Sequence, residues 1–154
     1  MILVDSDVLV ALVNRSDRRH LACVEALQAL RQPLATVWPV LAAALTSTHG
    51  FPAAQGAILE MVARGAVRLV PLGQQDAPRL RELMAKPRRN PMSIAHAALV
   101  RTAERDGLDT AFTLVPAQFA TYRIRGRKPF RLLPKLPAKK RVMSGAARRS
   151  RRSR

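Results

Sequence analysis

The chain opens on an apolar run, Ile2-Leu3-Val4, which Asp5-Ser6-Asp7 interrupts before the apolar pattern resumes through Val13. A short, uniformly apolar run predicts a buried strand. The resumed run starts behind residues that cap helices and predicts a helix. His20, Cys23, Val24, Leu27 and Leu30 recur at helical spacing with charged residues between them, so 16–31 predicts a second helix. The stretch 33–38 predicts a strand, and Pro39 opens a helix that Gly50 closes. The same reading predicts a helix over 52–65, a strand over 66–72, a helix over 74–86 and a loop over 87–91. It ends with a helix over 92–107 closed by Gly107, a strand over 109–115, a short helix over 116–122 and a last strand over 129–134. Strands alternating with helices predict an α/β fold: three layers, α/β/α, around a central, mostly parallel sheet. Ligands of such sheets bind beyond the C-terminal strand ends, where Asp5, Val115 and the start of the Ser93 helix fall. A carboxylate there is costly unless it is solvated, paired or holding a cation. Asp5 is therefore a candidate functional acid, with a helix N-cap as its structural alternative. Asp7 reads as a first-turn acid favoured by the helix dipole.

Composition narrows the picture. The 154 residues fit one domain, and with 48% apolar but only 4% aromatic residues the core must be aliphatic. Cys23 is the one cysteine, so an intramolecular disulfide and a thiolate zinc cluster are excluded, and a reducing cytoplasm is the expected setting. The N-terminus lacks the basic flank of an export signal, and no stretch reaches the roughly 18 apolar residues of a membrane helix. His20 and Cys23 share an apolar helix face and read as packing residues. His49 suits a helix C-terminus, and Trp38 is expected to anchor the turn between strand and helix.

Charge divides the chain in two. Residues 1–122 carry 13 Lys/Arg and all 10 Asp/Glu, whereas residues 123–154 carry 14 Lys/Arg and no acid. The expected organisation is a domain over 1–134 and a disordered basic tail over 135–154. Such a tail binds polyanions by counterion release, with steep salt dependence and little sequence preference. It has no aromatic residue for base stacking. The candidate RNA-contacting residues are Arg88 and Arg89 in the 87–91 loop and Lys139, Lys140, Arg141, Arg148 and Arg149 in the tail.

Three stretches carry a resemblance: ILVDSDVLVALVNRSDRRHLACVEAL, LATVWPVLAAAL and NPMSIAHAALVRTAERDGLDTAFTLVPAQFATYRI. In order and spacing they resemble the PIN domains, in particular the VapC-type toxins of bacterial toxin–antitoxin pairs, from residue 1 to about 134. The resemblance implies a ribonuclease fold in which carboxylates from separate segments hold one or two Mg²⁺ or Mn²⁺. It also implies a homodimer and an antitoxin partner seated in the groove. Carried over by position, Asp5 matches the first acid and Ser6 the hydroxyl residue after it. The second acid falls at Ala43, the third at Ser93, the fourth at His96 and the one after the fourth strand at Val115. Asp7 stands where the family often has Asn and is a second candidate ligand. Two cations about 3.5–4 Å apart would repel strongly over so few charges.

The resemblance therefore implies weak or absent metal binding and a nuclease activity weakened or lost, with function through binding RNA or an antitoxin. One alternative is a working metal-dependent ribonuclease with a rebuilt site, Asp5 and His96 catalytic and Asp5 with Asp7 on the ion. Another is a basic nucleic-acid-binding or assembly factor on the same scaffold. Ser93 and His96, three residues apart, share a helix face, so an Asp–His–Ser arrangement is also open.

Overall fold

Ile2, Leu3 and Val4 point alternately to opposite faces of their strand, yet all three are buried. Both faces of the sheet are therefore covered, and the uniformly apolar run is the sequence mark of that burial. The computed structural model describes residues 1–134. The elements are β1 (Ile2–Val4), α1 (Ser6–Val13), α2 (His20–Ala29), β2 (Leu34–Thr36), α3 (Trp38–Ser47), α4 (Pro52–Ala63) and β3 (Val67–Leu69). After a 3-10 turn, Gln74–Asp76, come α5 (Ala77–Ala85), α6 (Ile94–Asp106), β4 (Thr110–Phe112), α7 (Pro116–Phe119) and β5 (Arg131–Leu133).

The sheet order is β3-β2-β1-β4-β5 and every pairing is parallel. From the central β1 the chain builds outward through β2 and β3 on one side, then crosses to β4 and β5 on the other. The crevice beyond β1 and β4 is thus a topological switch point, the place where such sheets receive ligands. The 92–107 helix ends as its pattern predicts: Gly107 adopts φ 67°, ψ 27°, a left-handed cap that glycine takes without strain.

Every predicted element is present, each shorter than its sequence signal by a few end residues. Trp38 corrects one expectation. It is the first residue of α3 and 59% exposed, so its ring anchors nothing; Val37, fully buried, fills the turn instead. No described helix is long and apolar enough to cross a membrane. The predicted tail, with Lys139, Lys140, Arg141, Arg148 and Arg149, lies outside the described residues.

Candidate functional site at the switch point

Asp5 sits where β1 ends, with its backbone N–H donating to the Phe112 carbonyl of β4 at 3.0 Å. It is 1% exposed. As N-cap of α1 it accepts the Ser6 N–H on Oδ1 at 2.8 Å, which satisfies one of the helix's orphan donors. The other oxygen, Oδ2, accepts the Thr113 hydroxyl at 3.0 Å and lies 3.3 Å from His96 Nε2. Thr113 Oγ1 in turn accepts the Val115 N–H at 3.1 Å, which ties the β4 exit to the acid.

His96 belongs to the first turn of α6. Its Nδ1 shares a 3.0 Å hydrogen bond with the Tyr122 hydroxyl, and the imidazole's protonation decides which group donates. Its ring meets Phe119 edge-on at 5.0 Å, and Phe119 meets Tyr122 in the same manner at 5.2 Å. The result is a continuous side-chain chain from Asp5 through His96 to Tyr122, walled by α7. Burial pushes the Tyr122 phenol above its ordinary pKa, so its proton stays on.

Ser93 does not join this chain. As N-cap of α6, its Oγ accepts the His96 N–H at 3.2 Å. The third member of the constellation is Tyr122, so Asp–His–Ser gives way to Asp–His–Tyr. The i, i+3 relation between Ser93 and His96 is read correctly, but it serves to cap the helix. Ala43 lies half-buried on α3, packed against the core, and offers only a methyl group. Val115 is the N-cap of α7 and equally without a ligand atom.

Asp7 is more than a first-turn acid. Its Oδ2 accepts the Leu114 N–H at 2.9 Å, bridging α1 to the segment after β4, while Oδ1 is buried with no hydrogen-bond partner among the described residues. Burial, with the Asp5 charge nearby, pushes its pKa up to about 7. A raised native pKa means the folded state holds the proton longer than the unfolded chain. The contribution of Asp7 to stability therefore falls as pH rises from about 4 to about 7 and stays reduced above that. Asp7→Asn keeps an acceptor for Leu114 and loses the charge. It should raise the melting temperature by about 3 °C, or about 1 kcal/mol, at pH 8 and leave it unchanged at about pH 4. Thermal unfolding at the two pH values measures this, and an equal gain at both would refute it.

A hard divalent cation does not fit this donor set. Mg²⁺ requires octahedral oxygen ligands at about 2.1 Å, and both Asp5 oxygens are already engaged by donors from Ser6 and Thr113, with His96 against one of them. Among the described residues, no three His, Cys, Asp or Glu side chains gather as a metal site needs.

The remaining sequence candidates separate cleanly. Arg88 and Arg89 line a cleft beside Tyr122, with the Arg88 guanidinium 5.2 Å from the centre of the Tyr122 ring. His20 Nδ1 is tied to the Ala11 carbonyl at 2.8 Å, a packing role. Cys23 is buried, and burial raises its thiol to about 11, which makes it inert. Sequence reasoning misses Thr113 and Tyr122. Neither belongs to a spacing motif, and the one available signal was that Tyr122 is the chain's single tyrosine, three residues after Phe119.

No protein-family model and no curated protein matches the chain. Among solved structures it is similar to the crystal structure of Mycobacterium tuberculosis VapC20, a sarcin–ricin loop cleaving toxin. The two share 20% sequence identity and a TM-score of 0.65 over 72% of this chain and 87% of that one. With the parallel five-stranded sheet and Asp5 at the exit of its central strand, this likeness establishes that the chain has the VapC-type PIN fold.

Proposed function

We propose that this is a VapC-like PIN-fold protein that binds RNA at the switch point and has lost metal-dependent cleavage. One observation carries the reading: the His96 ring is wedged between Asp5 Oδ2 at 3.3 Å and the Tyr122 hydroxyl at 3.0 Å. A neutral or cationic imidazole stands where the family pattern places a carboxylate, so the site repels phosphate less and attracts cations less. Arg88 and Arg89, beside Tyr122, add positive charge on the same side. The basic residues of 135–154 add sequence-tolerant affinity to that contact. In this reading the partners are RNA, an antitoxin protein and a second copy of the chain, in the cytoplasm. VapC20 is a sarcin–ricin loop cleaving toxin; that structured RNA is the first substrate to try.

The test is direct. Full-length protein is incubated with structured RNA and Mg²⁺ or Mn²⁺, beside Asp5→Ala, and the RNA is sized on a denaturing gel. The expected result is retention of RNA in a binding assay with no cleavage that distinguishes the two proteins. Cleavage that needs the metal and disappears in Asp5→Ala establishes the rebuilt-ribonuclease reading instead.

A further inference from the structure

The Asp5–His96–Tyr122 chain does not end in the core. Tyr122 forms one wall of an open cleft of about 280 Å³ that Arg88, Arg89, Asn90 and Gln118 also line. The chemistry of that lining is one-sided. It contains two guanidiniums and two side-chain amides, and none of its residues is acidic.

The arginines here differ from those on the neighbouring helices. Arg79, Arg101 and Arg105 are held by Glu104 and Asp76. Arg88 is half-buried with its Nε shielded from solvent and without a hydrogen-bond partner among the described residues. A partly desolvated guanidinium without a carboxylate is costly unless an anion completes it. Its position is nevertheless defined, because it lies against the Tyr122 ring. That ring is fixed from the other side by His96, and Phe119 packs against it.

We infer that this cleft is a phosphate subsite that takes one nucleotide of a single-stranded RNA. The fork of a guanidinium matches two phosphate oxygens, and side-chain amides donate to the remainder. The volume admits a nucleotide unit as well as its phosphate, which a bare anion site would not need. Asp5 and His96 act here as positioning residues. They set Tyr122, and Tyr122 sets Arg88. The Asp5 position so becomes a structural support for recognition.

The inference rests on the RNA-binding reading above for its ligand, and one experiment separates the two. Because Tyr122 is the chain's single tyrosine, ring-labelled tyrosine gives one reporter inside the cleft. Full-length protein is titrated with inorganic phosphate, and with a hexauridylate bearing either a 5′-phosphate or a 5′-hydroxyl. The Tyr122 ring signals should shift saturably with the oligonucleotide. The pair Arg88→Lys and Arg89→Gln, which removes one charge and both forks, should weaken that response about tenfold or more. Arg81→Gln, which removes the same charge from an exposed site on α5, should leave it within about twofold. A preference for the 5′-phosphate identifies a terminal phosphate, and equal binding an internal one; both support the subsite.

If the oligonucleotide binds while Tyr122 is silent, or if the two variants weaken binding equally, the subsite is overturned and the RNA reading survives. If inorganic phosphate moves Tyr122 and the oligonucleotide does not bind, the RNA reading falls and the cleft stands as a phosphate site.

Discussion

Replacing Ala43 by Glu and Ser93, His96 and Val115 by Asp in one chain will lower stability without metal and create Mg²⁺ binding at the switch point. The argument is electrostatic. The switch point holds Asp5, and Asp7 with a carboxyl raised to about 7, so it already resists a second negative charge. Four more carboxylates near it would repel one another across a partly desolvated crevice, at a cost on the order of several kcal/mol. The removal of His96 would also free Asp5 Oδ2 from the imidazole beside it. A divalent ion would then regain the oxygen ligands it needs, and binding to the folded state would return stability by mass action. The expected signature is a melting temperature well below wild type in chelator that rises by about 10 °C or more as Mg²⁺ reaches millimolar levels, while wild type does not move. If Mg²⁺ leaves the fourfold variant unmoved, positions 43, 93, 96 and 115 do not converge on Asp5 as the family pattern requires.

The largest effect of a single substitution on stability is expected away from the site, at Asp76. This residue ends the 3-10 turn before α5 and is fully buried. Its carboxylate accepts the Gly73 N–H at 2.9 Å, Arg101 Nε at 2.7 Å and Arg105 Nη1 at 3.1 Å. It thereby fastens the start of α5 to α6, the helix that presents His96. Burial alone would raise its pKa, but the Gly73 N–H and the two guanidiniums outweigh burial and hold the carboxyl below its usual range. Asp76→Ala leaves Arg101 facing a low-dielectric gap without a counterion and leaves Arg105 with Asp106 alone. Because each is about a quarter exposed and regains some water, the cost falls at the low end for a broken buried pair, about 3 kcal/mol. The sign with pH follows from the depressed native pKa. The stabilisation is present above about pH 4 and is lost as pH falls through the native value, so variant and wild type converge in acid. Urea midpoints at pH 7 and at about pH 3 measure both parts. A difference that persists undiminished in acid would mean that packing, not charge, holds this corner.

The same arginine network marks a limit of what is legible in a sequence. Asp76 pairs with residues 25 and 29 positions away, and Glu104 with Arg79 at a separation of 25. Each of these residues reads alone as an ordinary solvated charge on a helix. Their pairing depends on α5 lying against α6, which no local pattern encodes. Likewise Thr113, Tyr122 and the exposed Trp38 were beyond reach, because side-chain direction at an element's end follows from what the neighbouring elements leave open.

Periodicity, capping residues and the Pro and Gly breaks by themselves determined the elements, their order and the parallel α/β class, because those signals act within a few residues of chain. They also placed Asp5 at a strand exit, and the resemblance to the PIN domains, carried over by position, put Ala43, Ser93, His96 and Val115 where that pattern has acids. Tertiary structure alone decided what surrounds Asp5. Closing β1 against β4 brought Thr113 to it across 108 residues, and α7 brought Tyr122 to His96 across 26. Such meetings depend on three-dimensional packing of segments far apart in the chain, and their energies arise only once water has been excluded between them.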